Sequence, residues 1–134
     1  MKIFDFYIDT DANLDGYFQI DLNEDNLAKM VKDEKFDIVF LGEVIEHLFS
    51  PDNLLDEIRY ILTPDGVLII STPNLSFYPN RLLFLLGISP LFLENSSKKK
   101  LGRWFKFLGQ GHDTEGHIRV FTYYALLDLF QLSG

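Results

Sequence analysis

Apolar and polar positions change their period several times along this chain. Phe36 to Leu41 is a nearly continuous apolar run, the pattern of a short strand buried on both faces. Gly42 and Glu43 follow at its carboxyl end. Ser50-Pro51-Asp52 has helix-start chemistry: Ser as N-cap, Pro at the first helical position, Asp in the first turn. Leu54, Leu55, Ile58, Ile61 and Leu62 recur at helical spacing. Thr63-Pro64-Asp65-Gly66 predicts a turn, and Val67 to Ile70 a second buried strand. Thr72-Pro73-Asn74 closes this strand, acidic turn, helix, turn, strand unit.

The flanking segments are plainer. Ile3 to Ile8 predicts a strand ending in Asp9-Thr10-Asp11, and Tyr17 to Ile20 a second, shorter one. Asn23-Glu24-Asp25 is helix-start chemistry, and Leu27, Met30 and Val31 give one apolar helical face through about Asp33. Asn80 to Leu86 predicts a short apolar helix, ended by Gly87 and Pro90. Residues 94 to 116 form a long polar, Gly-rich connection. There Lys98, Lys99, Lys100, Arg103 and Lys106 interleave with Trp104, Phe105 and Phe107. Such a loop reads as a solvated connection with lysine stems lying along the surface; a substrate lid and a membrane-surface contact are the alternatives. Thr122 is placed to N-cap a last helix, Tyr123 to Leu132, with Gly134 at its C-terminal end.

The 134 residues suffice for one domain with one core. A net charge of −8 argues against a broad grip on nucleic acid. There is no cysteine, which removes disulfides and thiolate metal sites. The N-terminus lacks the apolar core of a signal peptide. Leu82 to Leu93 carries Gly87, Ser89 and Pro90 and is too short to span a bilayer. A soluble, cytoplasmic protein without a transmembrane segment is the expectation.

The stretch from Phe36 to Asn74 closely resembles the middle of a class I S-adenosylmethionine-dependent methyltransferase. The matching features are the FD-apolar strand, the Glu-x-x-Glu-His turn at 43–47, the helix ending in Pro-x-Gly, and the strand running into Thr-Pro-Asn. It is most similar to a small subfamily in which Gly-His-Ile-Arg-Val-Phe-Thr comes later, here Gly116 to Thr122. Several motifs in the right order are more specific than any one. The resemblance implies an α/β, Rossmann-like three-layer sandwich with a mostly parallel sheet, truncated relative to the full fold. Residues 1–134 would form a single partial domain with a lid-like insertion at about 94–116. It implies S-adenosylmethionine as cofactor and methyl transfer to an acceptor that could be a small molecule or a nucleic-acid end.

The resemblance also assigns residues. Asp9 would hydrogen-bond the cofactor ribose, and Asp21 with the Leu22 backbone amide would meet the adenine; turn or helix capping is the other reading of each aspartate. Gly42 and Glu43 would border the cofactor's amino-acid tail, with Gly42 permitting close approach. Asn74 would border the substrate pocket, where turn chemistry is the alternative. Arg119 would bind an anionic substrate group or form a surface salt bridge. If Glu43, Glu46 and His47 are helical, positions i, i+3 and i+4 share one face, and two carboxylates with an imidazole suit a divalent cation such as magnesium. Small-RNA 2′-O-methyltransferases and ubiquinone-pathway O-methyltransferases resemble the chain here and bind such a metal; His117 matches the later histidine ligand of the first group. Local pairing of His47 with a carboxylate, and packing of His117, are the metal-free reading. His47 or His117 would be the general base for a hydroxyl acceptor.

The chain departs from the family at its start. No Gly-x-Gly follows a strand, and the helix expected between Asp9 and Asp21 is compressed into 11 residues, Thr10 to Ile20. The terminal antiparallel strand pair is missing as well. In the full fold a strand lies between Ile3–Ile8 and Phe36–Leu41; its absence leaves unpaired edges. The chain is a fragment, or Ile3–Ile8 moves into the vacancy, or a second chain fills it as a homo-oligomer; a start at Met and an end at a helix cap fit the second. Functionally, a non-catalytic, methyltransferase-like binding or interaction module is the alternative to an enzyme.

Overall fold

The computed structural model describes residues 20–32 and 34–134. The expected strand Ile3–Ile8, Asp9 and most of the strand at Tyr17–Ile20 lie outside them. In order come α1 (Leu27–Met30), β1 (Phe36–Gly42), a 3-10 turn (Ile45–His47), α2 (Pro51–Ile61), β2 (Leu62–Ser71), α3 (Tyr78–Leu85), a second 3-10 turn (Lys106–Leu108) and α4 (Tyr123–Ser133). β1 and β2 pair in parallel, so α2 is the crossover of a βαβ unit. The described residues thus form a small parallel α/β unit. They do not form the expected three-layer sandwich, because the helices that reach the core, α1, α2 and α4, all pack with the same face of a two-stranded sheet.

That face explains the core. Val39, Leu41, Leu68 and Ile70 point towards Leu48, Leu54 and Ile58. Ile45 and Leu55 meet Leu129 of α4 beside them. Ile45 and Ile58 are fully buried. The opposite face carries Ile38, Phe40, Val67 and Ile69, each between 47% and 65% exposed. The expectation that Phe36–Leu41 is buried on both faces therefore fails here. An apolar run requires a layer on each side to be buried, and no described element packs on this one.

The turn at Thr63–Gly66 falls inside the span of β2. Leu62 pairs with Phe36, and the next paired residue, Val67, faces Ile38, so the four residues between them bulge outward. A Cβ on Gly66 would stand 3.0 Å from both the Phe36 and Thr63 carbonyl oxygens, which requires glycine at this close approach. α1 is shorter than its apolar face suggested and is capped by Asn26, whose side chain accepts from the Lys29 N–H. Glu57 of α2 supports the same end, accepting from Asn26 Nδ2 at 2.9 Å and the Leu27 N–H at 2.6 Å. Ser50 occupies the N-cap of α2 without a side-chain bond. α3 ends as predicted at Gly87 (φ +69°). Ile88 and Gly87 N–H donate back to Leu83 and Phe84 carbonyls, the pairing of a left-handed helix cap. Thr122 caps α4 by accepting from the Ala125 N–H.

The 94–116 connection is not the solvated loop that its composition suggested. Lys100 and Arg103 are buried. Arg103 donates to the Leu108, Pro90 and Leu91 carbonyls, and burial pushes its pKa down. Lys100 binds Glu115, and its backbone pairs with Gly111 and His112. The lysine bond is the main cause holding the Glu115 carboxyl below its ordinary range. Lys99, by contrast, pairs with Asp113 on the surface. Guanidinium and ammonium groups with fixed carbonyl and carboxylate partners satisfy an interior that lysine stems alone would not. Lys98→Ser should leave the melting temperature unchanged, since it is exposed without an ion-pair partner among the described residues. Lys100→Ser should lower stability by about 1 kcal/mol, because it removes the buried ammonium that pairs with Glu115 and neighbours Glu94; thermal denaturation of both variants is the check.

Candidate functional site

The carboxyl end of β1 departs from regular structure immediately. Glu43 adopts φ +54°, a conformation L-residues rarely hold. Its N–H donates to the Ser71 carbonyl, and its Oε1 accepts from Ser71 Oγ at 2.8 Å. The left-handed residue ends the strand, and the chain re-forms at Ile45–His47 as 3-10 turn. Glu43 therefore does not share a face with Glu46 and His47; its carboxylate is turned towards β2.

Glu46 and His47 do converge with His117. One carboxylate oxygen and one nitrogen from each ring lie within 4.8 Å of one another. The imidazole centroids are 5.1 Å apart. His47 Nδ1 lies 3.0 Å from the Gly116 carbonyl, and His117 Nδ1 lies 3.3 Å from the Phe92 carbonyl. A carbonyl only accepts, so each Nδ1 carries a proton, and Nε2 is the nitrogen that bears the lone pair in the neutral ring. This tautomer follows from the hydrogen-bond partners.

Glu46 is fully buried. Thr72 Oγ1 donates to its Oε2 at 3.0 Å, while Oε1 has no partner. Burial is the main cause raising the Glu46 pKa, with Glu43 repelling in the same direction and hydrogen bonds and His47 opposing it. A buried acid left half unsatisfied calls for an explanation.

A backbone seam assembles this trio. The Glu46 carbonyl accepts from both Ile118 and Arg119 N–H, at 2.9 and 3.0 Å. Arg119 Nε and Nη2 then donate to the Leu48 and Phe49 carbonyls. The guanidinium expected to meet substrate thus spends these two donors on the turn. Glu94 accepts from the N–H groups of Glu115, Gly116 and His117 at 2.8–3.0 Å. Sequence reasoning missed Glu94, although it is the single acid between Phe77 and Leu108, among six basic residues.

Of the other expected residues, Glu43 and Asn74 line a cleft of about 250 Å³ at the carboxyl ends of both strands, whereas Asp21, Leu22 and Gly42 do not. Glu43, Thr72, Asn74 and Tyr123 line it. Asn74 Oδ1 accepts from the Ser76 N–H, so its side chain shapes the turn. Gly42 has its close neighbour in the Phe40 ring, 2.8 Å from where a Cβ would lie. Asp21 Oδ1 accepts from the Asn23 N–H, and the Asp21 N–H donates to Asp25; Leu22 packs on the core. A larger furrow of about 930 Å³ lies at the opposite end, between Lys35, Arg59 and Gly134. Lys35 and Arg59 there are bonded to the Tyr60 and Ser133 carbonyls. Parallel α/β sheets bind ligands at the carboxyl edge, so we assign the site to the smaller cleft and the adjoining trio.

The raised pKa fixes a sign. The folded chain holds the Glu46 proton more tightly than the ordinary 4.5. The stability this contributes is present below that value and is lost as pH rises through the folded pKa. Glu46→Gln should therefore raise the melting temperature at neutral pH in the presence of a chelator, by roughly 3–5 °C for about 1 kcal/mol, and flatten its fall between acidic and neutral pH. Thermal melts across pH test both.

The chain matches the family model for a methyltransferase domain over residues 5–134. It is 37% identical over 67 residues to a probable S-adenosylmethionine-dependent methyltransferase of Mycolicibacterium smegmatis, covering 48% of this chain and 26% of that protein. A similarly named protein of Mycobacterium tuberculosis is 34% identical over 67 residues, 48% of this chain and 24% of the other. A ubiquinone biosynthesis O-methyltransferase of Haemophilus ducreyi is 44% identical over 41 residues, 31% and 17% respectively. The matched segments thus span about a quarter or less of these relatives' lengths. With 130 of its residues inside the family model, the chain belongs to the methyltransferase-domain family.

Proposed function

We propose that the chain carries S-adenosylmethionine-dependent methyl transfer, with a hydroxyl-bearing molecule as acceptor. The observation that carries this reading is the convergent trio: an unpartnered, buried Glu46 oxygen beside two half-buried imidazoles whose Nδ1–H groups are tied to carbonyls. Similarity to a protein named for O-methylation supports an oxygen acceptor. The cofactor would supply an electrophilic methyl group on its sulfonium. Asp21, the Leu22 amide, Gly42 and Glu43 would hold it along the carboxyl edge, with Asp9 contributing from outside the described residues. Asn74 and Arg119 would border the acceptor.

The chain's own part is proton handling and placement. Glu46 Oε1 can accept a hydrogen bond from an acceptor hydroxyl and draw it into the trio. Nε2 of His47 or His117 takes the proton as the oxygen–methyl bond forms and the sulfur–methyl bond breaks. Burial of Glu46 keeps competing water from its carboxylate.

The same three groups also fit a divalent metal. The donor set is one carboxylate and two imidazoles, each ring already held through its other nitrogen, as metal-ligating histidines are. Glu46, His47 and His117 would hold the ion, which would polarise the acceptor oxygen; Glu43 falls outside this set. No described helix is long and apolar enough to cross a membrane.

Calorimetry with S-adenosylhomocysteine should show a dissociation constant in the micromolar range, weakened by Asp21→Ala without loss of fold. Absence of binding at millimolar ligand would leave the interaction-module reading instead. Manganese should raise the melting temperature of the wild-type chain, EDTA should reverse this, and His117→Ala should abolish the response. A wild-type chain indifferent to both would remove the metal while leaving the histidines as bases.

A further inference from the structure

We propose that Glu94 is the positioning residue of the two-histidine pocket, acting from outside it. The proposal rests on that pocket being the functional site. Only 3% of the Glu94 side chain is exposed. Its Oε1 accepts from the Glu115 N–H at 2.8 Å, and its Oε2 from the Gly116 and His117 N–H groups at 2.9 and 3.0 Å. Three successive amides therefore converge on one carboxylate, a backbone nest closed by a side chain of the same chain.

The consequence reaches both imidazoles. His117 is one of the three residues held. The Gly116–His117 peptide is held on both sides: its N–H, that of His117, by Glu94, and its carbonyl, that of Gly116, by His47 Nδ1. Rotation of that peptide would take the carbonyl away from His47 and free the ring to exchange tautomers. Gly116 at φ +87° permits the turn that aims the three N–H groups together. Phe92, two residues before Glu94, supplies the carbonyl for His117 Nδ1. One short segment thus fixes the tautomer of both rings, one directly and one through a peptide plane.

Lys100 sits beside the carboxylate. Its Nζ lies 4.0 Å from Glu94 Oε1 and also binds Glu115, on the far side of the nest. His117 Nε2 lies 3.7 Å from Glu115 Oε2. Glu94, Lys100 and Glu115 thus join the 94–116 connection to the backbone that carries His117. A neutral amide at position 94 would point a donor at donors.

Ring-nitrogen chemical shifts of His47 and His117 test this without metal, cofactor or turnover. In the wild-type chain both rings should report the Nδ1–H tautomer. In Glu94→Gln that population should fall at both histidines, and manganese affinity should drop about ten- to a hundred-fold. Glu94→Asp, which keeps the charge but reaches less far, should recover part of each. Far-ultraviolet dichroism establishes that the variants are folded. If Glu94→Gln leaves both histidines' shifts as in wild type, Glu94 is only a loop brace and the proposal fails. If wild-type chain binds no manganese, the metal reading falls on its own, and the tautomer shifts still decide the role of Glu94.

Discussion

The site depends on one carbonyl oxygen. Glu46 accepts from Ile118 and Arg119 through its backbone while its side chain points to the pocket. Those two bonds join segments about seventy residues apart. Loop closure over that length is entropically unfavourable and must be offset locally. The offset is visible in the neighbours: the Arg119 guanidinium on Leu48 and Phe49, Ile45 fully buried, and Leu129 packed beside it. Two of the Arg119 donors thus serve the assembly of this turn.

The same region stores its costs together. Glu43 holds a left-handed conformation, Glu46 buries an oxygen without a partner, and two imidazoles approach within ring contact. The first two features lower stability on their own, and all three lie at the carboxyl edge of the sheet. Strain and unsatisfied polarity concentrated at one edge, above an ordinary apolar core of Leu48, Leu54 and Ile58, are what a site for a bound group requires. The opposite end of the sheet has a larger concavity but spends its charged groups on carbonyls.

How much of this was legible follows from the range of each signal. α2, α4 and the two strands were read correctly because helical and strand periods are local, and the Thr122 cap and Gly87 terminator are local chemistry. His47 and His117 were singled out by motif, and the structure brings their rings together. Glu43 was grouped with them by assuming helical geometry. That grouping failed where a single residue turned left-handed, which a glutamate does not announce. Glu94, Lys100 and Arg103 were hidden because their partners are backbone groups or residues 13 to 23 positions away. A basic, glycine-rich composition looks the same whether its charges face water or a carbonyl.

The exposed apolar sheet face bears on the site's independence. Ile38, Phe40, Val67 and Ile69 alternate with the residues that form the core, so any layer added there would contact the far side of the same two strands. The trio is built from the strand ends, the 3-10 turn and the 115–119 seam. None of its hydrogen bonds passes through that face. Geometry at the two histidines is therefore set by Glu94, Gly116 and Glu46 from the covered side. What packs against the open face would govern how firmly the strands are held, and only through them the edge on which Glu43 and Thr72 sit.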